Sequence, residues 1–129
     1  MAVEQARREK DRPADAPTPA GRGYLALTAA LYPDGNAVSA EILEFDIASW
    51  GRDLEHAYQM IVEAVEGAIE AAYHDSTGGL EGFLRHARLT TYREPPASYR
   101  PAAIPSHLLS QPGLILRPVS ISIEAAIDS

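Results

Sequence analysis

The sequence contains no cysteine. This absence excludes disulfide bonds, thiolate chemistry and zinc or iron–sulfur sites built on cysteine. No stretch approaches the ~20 apolar residues that a membrane span requires, and residues 1–23 lack the apolar segment of a secretory signal. We therefore expect a cytoplasmic protein.

Lysine is almost absent as well, since the one lysine is Lys10. Residues 24–129 hold six arginines and fourteen acidic residues, a net charge of −8. Phosphate backbones are bound by clustered Lys and Arg, so we expect no direct binding of nucleic acid. An acidic surface suits a basic protein partner, because complementary potentials speed association. Negative charge that merely keeps a small protein in solution explains the composition equally well.

The charge and proline content divide the chain into an arm and one domain. Residues 1–23 hold nine charged residues and three prolines with almost no large apolar side chain, a composition typical of disorder. We expect a disordered N-terminal arm over residues 1–23. Residues 24–129 are then expected to form a single α+β domain.

Residues 24–51 show the pattern of a β-hairpin followed by a short third strand. Apolar and other residues alternate from Tyr24 to Tyr32, which is typical of a strand with one buried face. Pro33-Asp34-Gly35-Asn36 predicts a hairpin loop. In the second arm the alternation shifts near Ile42, which indicates a bulge or the end of the strand. The segment from Asp46 to Gly51 predicts a third strand.

A long amphipathic helix is predicted to begin at Asp53, which stands where an N-cap or first-turn acid belongs. Apolar residues recur at steps of three and four up to Tyr73, while glutamates line the opposite side. We expect this helix to pack on the hairpin sheet. Gly67 interrupts it, and we interpret that glycine as a position of close approach under a strand.

The second half of the chain is irregular until its end. Gly78-Gly79 predicts a helix stop or a loop, and a short helix is expected from Leu80 to Leu89. Five prolines between Glu94 and Gly113 exclude long helices and central strands. We expect residues 90–113 to be irregular chain lying on the domain or on a neighbouring subunit. Residues 114–123 predict a terminal strand that pairs with the hairpin sheet or with another chain.

The junction Gly51-Arg52-Asp53-Leu54-Glu55-His56-Ala57, together with Ile61-Val62-Glu63-Ala64-Val65-Glu66, resembles the HicB-like antitoxin family. The resemblance covers residues 24–73. It implies a domain similar to a degraded RNase H-like fold, which neutralises a small basic HicA-like ribonuclease by covering its catalytic face. It also implies homo-oligomers. The proline-rich residues 94–113 and one strand cannot build the C-terminal DNA-binding domain that many members carry.

Six residues are the candidates for contact with a partner. The glutamates of the helix form a stripe that suits a cation or a basic protein, although a solvated helix face has the same pattern. We expect Trp50 to lie in the core, where it would join the hairpin to the helix; the alternative is an interface anchor. The candidate partner-binding residues are Glu55, Glu63, Glu66, Glu70, Trp50 and Tyr99.

No constellation in the sequence predicts catalysis, a metal or a cofactor. The four histidines lack the spacing of a metal site, and we expect a structural or surface role for His56. An RNase H-like site would use Asp34, Glu41, Glu44 and Asp46, but Asp34 is explained by its turn and Glu41 points away from Glu44 on an alternating strand. We therefore expect a protein that is not an enzyme.

Two functional hypotheses follow. The first is an antitoxin, or an antitoxin-derived protein, that binds and occludes a small basic ribonuclease toxin. The second is a self-assembling structural or adaptor protein without a toxin partner, which would associate through the terminal strand and the proline-rich segment. Both assign the protein to association rather than to chemistry.

Overall fold

The computed structural model describes residues 23–44, 46–75, 78–87, 89, 91–94 and 103–127. Within these ranges the chain forms a five-stranded antiparallel sheet and four helices. The predicted α+β class is confirmed, with the sheet packed against one long helix. The predicted arm lies outside the described residues except for Gly23.

The five strands are β1 (Tyr24–Asp34), β2 (Ala37–Ile42), β3 (Ile47–Gly51), β4 (Thr91–Tyr92) and β5 (Ile115–Ser122). Strand β1 pairs with β2, β4 and β5, and β2 pairs with β3. Because Tyr24 pairs with both β4 and β5, these two strands lie on opposite sides of β1. The longer strands at the edges of the described sheet are therefore β3 and β5, and the two-residue β4 lies beside β1 on the same side as β2.

The hairpin turn is shorter than the sequence predicts. Pro33 and Asp34 belong to β1, where they pair with Val38 and Ala37. Only residues 35–36 form the turn, and Gly35 supplies the positive φ of 65° that a two-residue hairpin turn favours. Strand β2 then ends at Ile42, so the shift in alternation marks the end of a strand rather than a bulge.

A carboxylate replaces a strand at one place along β1. The Leu43 amide donates to the Thr28 carbonyl at 3.0 Å, as a continued β1–β2 ladder would require. The Thr28 amide instead donates to Glu44 Oε1 at 2.7 Å, and the Thr28 hydroxyl donates to Glu44 Oε2 at 2.9 Å. Glu44 thus satisfies the buried polar groups of Thr28 in the gap between β2 and β4.

The four helices are α1 (Leu54–Tyr73), α2 (Gly79–His86), α3 (Ser106–Leu109) and α4 (Ile123–Ile127). The predicted cap of α1 is confirmed, since the Asp53 carboxylate accepts from the His56 amide at 2.8 Å. Gly78 is the N-cap of α2, so the glycine pair begins a helix. The predicted short helix lies at α2.

The core lies between the sheet and the helices, on what we call the first face of the sheet. Alternate residues of β1 pack there against one side of α1, with further residues from β5, α2 and α4. Full burial of each large aliphatic side chain stabilises the fold by about 1.5–3 kcal/mol. The fully buried large residues of this cluster are Leu25, Leu27, Leu31, Ile61, Val65, Ile69 and Ile123.

The opposite, second face of the sheet is also partly covered, although the sequence predicts one buried face for β1. Thr28 and Ala30 are fully buried there. The chain around α3 contacts the same face, where the ring of His107 bonds to Glu41 of β2, and Leu108 of α3 is fully buried. Within residues 103–113 the printed contacts of His107 and Gly113 are with the sheet, whereas residues 95–102 lie outside the described residues.

The predicted terminal strand is confirmed as β5, and it pairs with β1 of its own chain over eight positions. The β1–β2 register directs the polar backbone groups of Thr28 and Ala30 toward β2. Since these directions alternate along an antiparallel strand, Pro118, which pairs with Thr28, faces away from β1. The missing amide of the proline is thus on the free edge, where proline is tolerated.

Gly51, and not Gly67, is the position of close approach. A Cβ at Gly51 would lie 2.7 Å from the Ala57 Cα, and that backbone belongs to the first turn of α1. Gly67 is exposed, and a Cβ there would meet nothing within 4 Å. Our interpretation of Gly67 is therefore wrong, because its face of α1 points to solvent.

These two glycines give a matched prediction. Gly51→Ala is expected to destabilise the protein by about 3 kcal/mol or more, because the methyl group overlaps backbone that cannot rotate away. Gly67→Ala is expected to stabilise it by roughly 1 kcal/mol through helix propensity alone. Urea unfolding followed by circular dichroism measures both. Equal effects of the two substitutions would contradict the packing described for Gly51.

Candidate partner-binding surfaces

Three of the predicted glutamates form a row on α1, which we call the acidic stripe: Glu63, Glu66 and Glu70. Glu63 is exposed, and Glu66 and Glu70 are half-buried. They lie on the side of the helix opposite the buried Ile61, Val65 and Ile69. Within the described part of the chain, no hydrogen bond or ion pair engages their carboxylates. These three charges are therefore available to a partner.

The acidic stripe is electrostatically unfavourable for the isolated helix. Glu66 and Glu70 are four residues apart, a spacing at which like charges destabilise a helix by a few tenths of a kcal/mol. Glu70 lies in the last turn, where the helix dipole disfavours a carboxylate, and that turn has no basic residue. Helix stability therefore does not explain the stripe, and a cationic partner would relieve both effects.

Glu55 differs from the stripe because it already has a partner. Arg117 of β5 donates from Nη1 to Glu55 Oε1 at 2.9 Å, and its guanidinium lies 3.9 Å from the centre of the Tyr58 ring. The Tyr58 hydroxyl donates to the Pro118 carbonyl at 2.8 Å. These contacts join the start of α1 to β5, and the exposed Glu55 carboxylate already has an ion-pair partner there.

Trp50 lies at the surface, and its predicted place in the core is wrong. Its side chain is 64% exposed. In β3 it pairs with Ser39, next to Gly51, which faces α1. Because neighbouring residues of a strand point to opposite faces, Trp50 is on the second face. The acidic stripe and Trp50 are thus on opposite sides of the molecule, while Tyr99 lies outside the described residues.

A cluster that the sequence did not predict joins α3 to the second face. The Tyr32 hydroxyl donates to Glu41 Oε2 at 2.7 Å, and His107 Nε2 lies 3.0 Å from Glu41 Oε1. Nearby, the Ser39 hydroxyl donates to Asp34 at 3.0 Å. Since Ser39 bonds to Asp34 and not to the imidazole, this arrangement is not a nucleophilic relay. Its hydrogen bonds hold α3 on the second face of the sheet.

The cluster shifts the titration of two of its members. Partial burial raises the pKa of Glu41, but the hydrogen bonds from Tyr32 and His107 outweigh burial and hold the pKa below its ordinary value. The hydrogen bond to Glu41, burial and the charge of that carboxylate raise the pKa of Tyr32. His107 is 66 positions from Glu41 in the sequence, so no local pattern indicates their contact.

The remaining polar candidates have structural roles. His56 Nδ1 accepts from the Arg52 amide at 2.9 Å at the start of α1, as expected for a structural histidine. Asp34, Glu41 and Glu44, considered above as metal ligands, bond to Ser39, to Tyr32 with His107, and to Thr28. Among the described residues no group of three acidic or histidine side chains is placed to hold a metal ion.

Comparison with family models, with curated proteins and with solved structures finds no match. None of the helices in the described ranges has the length and apolar character that crossing a bilayer requires. The fold therefore defines the chain as an α+β protein. The surfaces described above are the basis for its proposed function.

The Glu41 cluster predicts a specific pH dependence of stability. A carboxyl whose folded pKa is lowered contributes stability above its unfolded pKa and loses it as the pH falls through the folded value. Glu41→Gln is therefore expected to cost about 1 kcal/mol at neutral pH. The difference from the unmodified protein should be lost in the acid range, as the pH falls through the lowered pKa of the folded Glu41 carboxyl. Urea unfolding across a pH series measures it. Glu81→Gln, which removes an exposed carboxylate from α2, is the control. A pH-independent difference for Glu41→Gln would contradict a stabilising role of the Glu41 hydrogen bonds.

Proposed function

We propose that this protein is a HicB-like antitoxin, or a protein derived from one, that binds a small basic HicA-like ribonuclease toxin through the acidic stripe. It acts in the cytoplasm by association and not as an enzyme. The observation that carries the proposal is the row of three unpaired carboxylates on the side of α1 that faces away from the core. Their charges oppose helix stability, so a role in binding is the simpler explanation for them.

The mechanism is occlusion. A ribonuclease holds its substrate with Lys and Arg that neutralise phosphates. Glu63 to Glu70 span about 10 Å along the helix, so their carboxylates present a row of negative charge to such a surface. They take the place of RNA phosphates, and complementary charge speeds the encounter of the two proteins.

The order of the elements supports the family assignment. Three antiparallel strands precede a capped helix, and the motif that resembles the family places Gly51 against the backbone of Ala57, where a Cβ would not fit. The motif therefore coincides with a packing requirement. The outer side of the same helix is left for recognition.

A ribonuclease assay tests this proposal. The partner to assay is a small Lys/Arg-rich ribonuclease, sought first in the neighbouring reading frame, and the unmodified chain should abolish its cleavage of RNA. Replacing Glu63, Glu66 and Glu70 together by Gln should weaken inhibition roughly tenfold to a hundredfold, since each exposed pair contributes up to about 1 kcal/mol. The weakening should shrink at high salt.

The control for this assay is Glu81→Gln, which removes an exposed carboxylate from another helix. Its inhibition should equal that of the unmodified chain, because Glu81 pairs with Arg85 on α2 and lies outside the stripe. Cleavage that continues unchanged at saturating antitoxin would refute the toxin partner. Equal inhibition by the triple variant would refute the stripe as its binding site.

The second candidate is a self-assembling structural or adaptor protein without a toxin. The exposed Trp50 on an edge strand favours it, because tryptophan is enriched among residues that dominate interfaces. Assembly through the terminal strand would have to use the outer edge of β5, because β5 already pairs with β1 in its own chain. Truncating residues 114–129 would therefore unfold the domain, and the ribonuclease assay is the better discriminator.

A further inference from the structure

The two edges of the described sheet differ in their capacity to accept another strand. The outer edge of β5 is blocked: Pro118 has no amide to donate there, and the Tyr58 hydroxyl occupies the Pro118 carbonyl. Proline on an edge is a usual protection against strand pairing. Strand β3, Ile47–Gly51, has neither proline nor a charged residue, so its edge lacks such protection.

The β2–β3 register identifies the free groups of β3. The hydrogen bond from the Leu43 amide to the Thr28 carbonyl sets which residues of β2 face β1. By alternation, Ile47, Ser49 and Gly51 direct their backbone groups to β2, while Ala48 and Trp50 direct theirs outward. The free edge therefore presents two amides and two carbonyls in a row.

We propose that β3 pairs antiparallel with β3 of a second copy of this chain, about a two-fold axis at Ser49. In this register Ala48 lies opposite Trp50 of the second copy, and each such pair exchanges both of its backbone hydrogen bonds. All outward groups of the two strands are then satisfied. Two sheets become one continuous sheet across the dimer.

The side chains flanking the axis are self-complementary in the same register. On the second face, the exposed indole of Trp50 lies beside the small Ala48 of the other copy, so a large side chain meets a small one. One position beyond each end of the strand, Asp46 lies opposite Arg52. Both are exposed, and within the described residues neither side chain has another ion-pair partner. A two-fold axis repeats each contact, which gives two Asp46–Arg52 pairs.

Charge reversal tests the proposed register directly. Asp46→Arg places two arginines at each end of the interface, and Arg52→Asp places two aspartates there. Each variant alone should raise the dimer dissociation constant roughly tenfold or more, as measured by sedimentation or light scattering on the full chain. An equimolar mixture of the two variants restores opposite charges at both ends and should form a heterodimer as stable as the original dimer.

Two further variants separate the interface from folding. Trp50→Ala should weaken dimerisation roughly tenfold to a hundredfold while leaving the unfolding midpoint of the monomer unchanged, because Trp50 is exposed. Glu81→Arg, a charge reversal on α2, should leave dimerisation unchanged. A monomeric unmodified chain, a dimer insensitive to both single reversals, or a mixture that remains monomeric would overturn the proposal. None of these outcomes depends on a toxin partner.

Discussion

The main helix can approach the sheet closely because residue 51 has no side chain. The backbone at Ala57 occupies the space that a Cβ of residue 51 would need, so the last residue of β3 fixes the position of the first turn of α1. Asp53 caps the helix two residues later. This contact determines which side of α1 faces the core, and therefore which side carries the acidic stripe. It also turns Trp50 outward, because adjacent strand residues face opposite ways.

The elements with strong local patterns were predictable from sequence. Alternation predicted β1 and β2, and the acid at Asp53 with the periodic residues after it predicted α1 to within one residue. The exposed position of Trp50 was also predictable. If Gly51 faces the helix, its neighbour in the strand must face away from it. Trp50 was instead predicted to join the hairpin to the helix, and the close approach was assigned to Gly67, whose side of the helix is exposed. Periodicity alone does not distinguish a glycine in contact from one in solvent.

The contacts that cover the second face of the sheet could not be predicted from local sequence patterns. This face depends on a contact between residues far apart in sequence, that of His107 with Glu41. It also depends on Glu44, whose carboxylate bonds to Thr28 where no strand is present. A surface glutamate and a strand-capping glutamate have the same local sequence pattern. The three-dimensional fold is therefore needed to distinguish the acidic residues that form structural hydrogen bonds from those that are free.

The division of the acidic residues into bonded and free ones concerns both proposed surfaces, the acidic stripe and the edge of β3. Glu41, Glu44 and Glu55 are engaged with the sheet or with Arg117, which leaves the stripe on α1 as an uncompensated charge. The β3 edge, by contrast, offers backbone groups and one opposite-charge pair, so it suits an identical chain and not a cationic one. Because the stripe lies on the outer side of α1 and the edge groups lie in the sheet, the two surfaces use different residues. A dimer through β3 would carry two acidic stripes. A partner that presents two basic surfaces would then bind both stripes, and the second contact would be intramolecular and so strengthened by its high effective concentration.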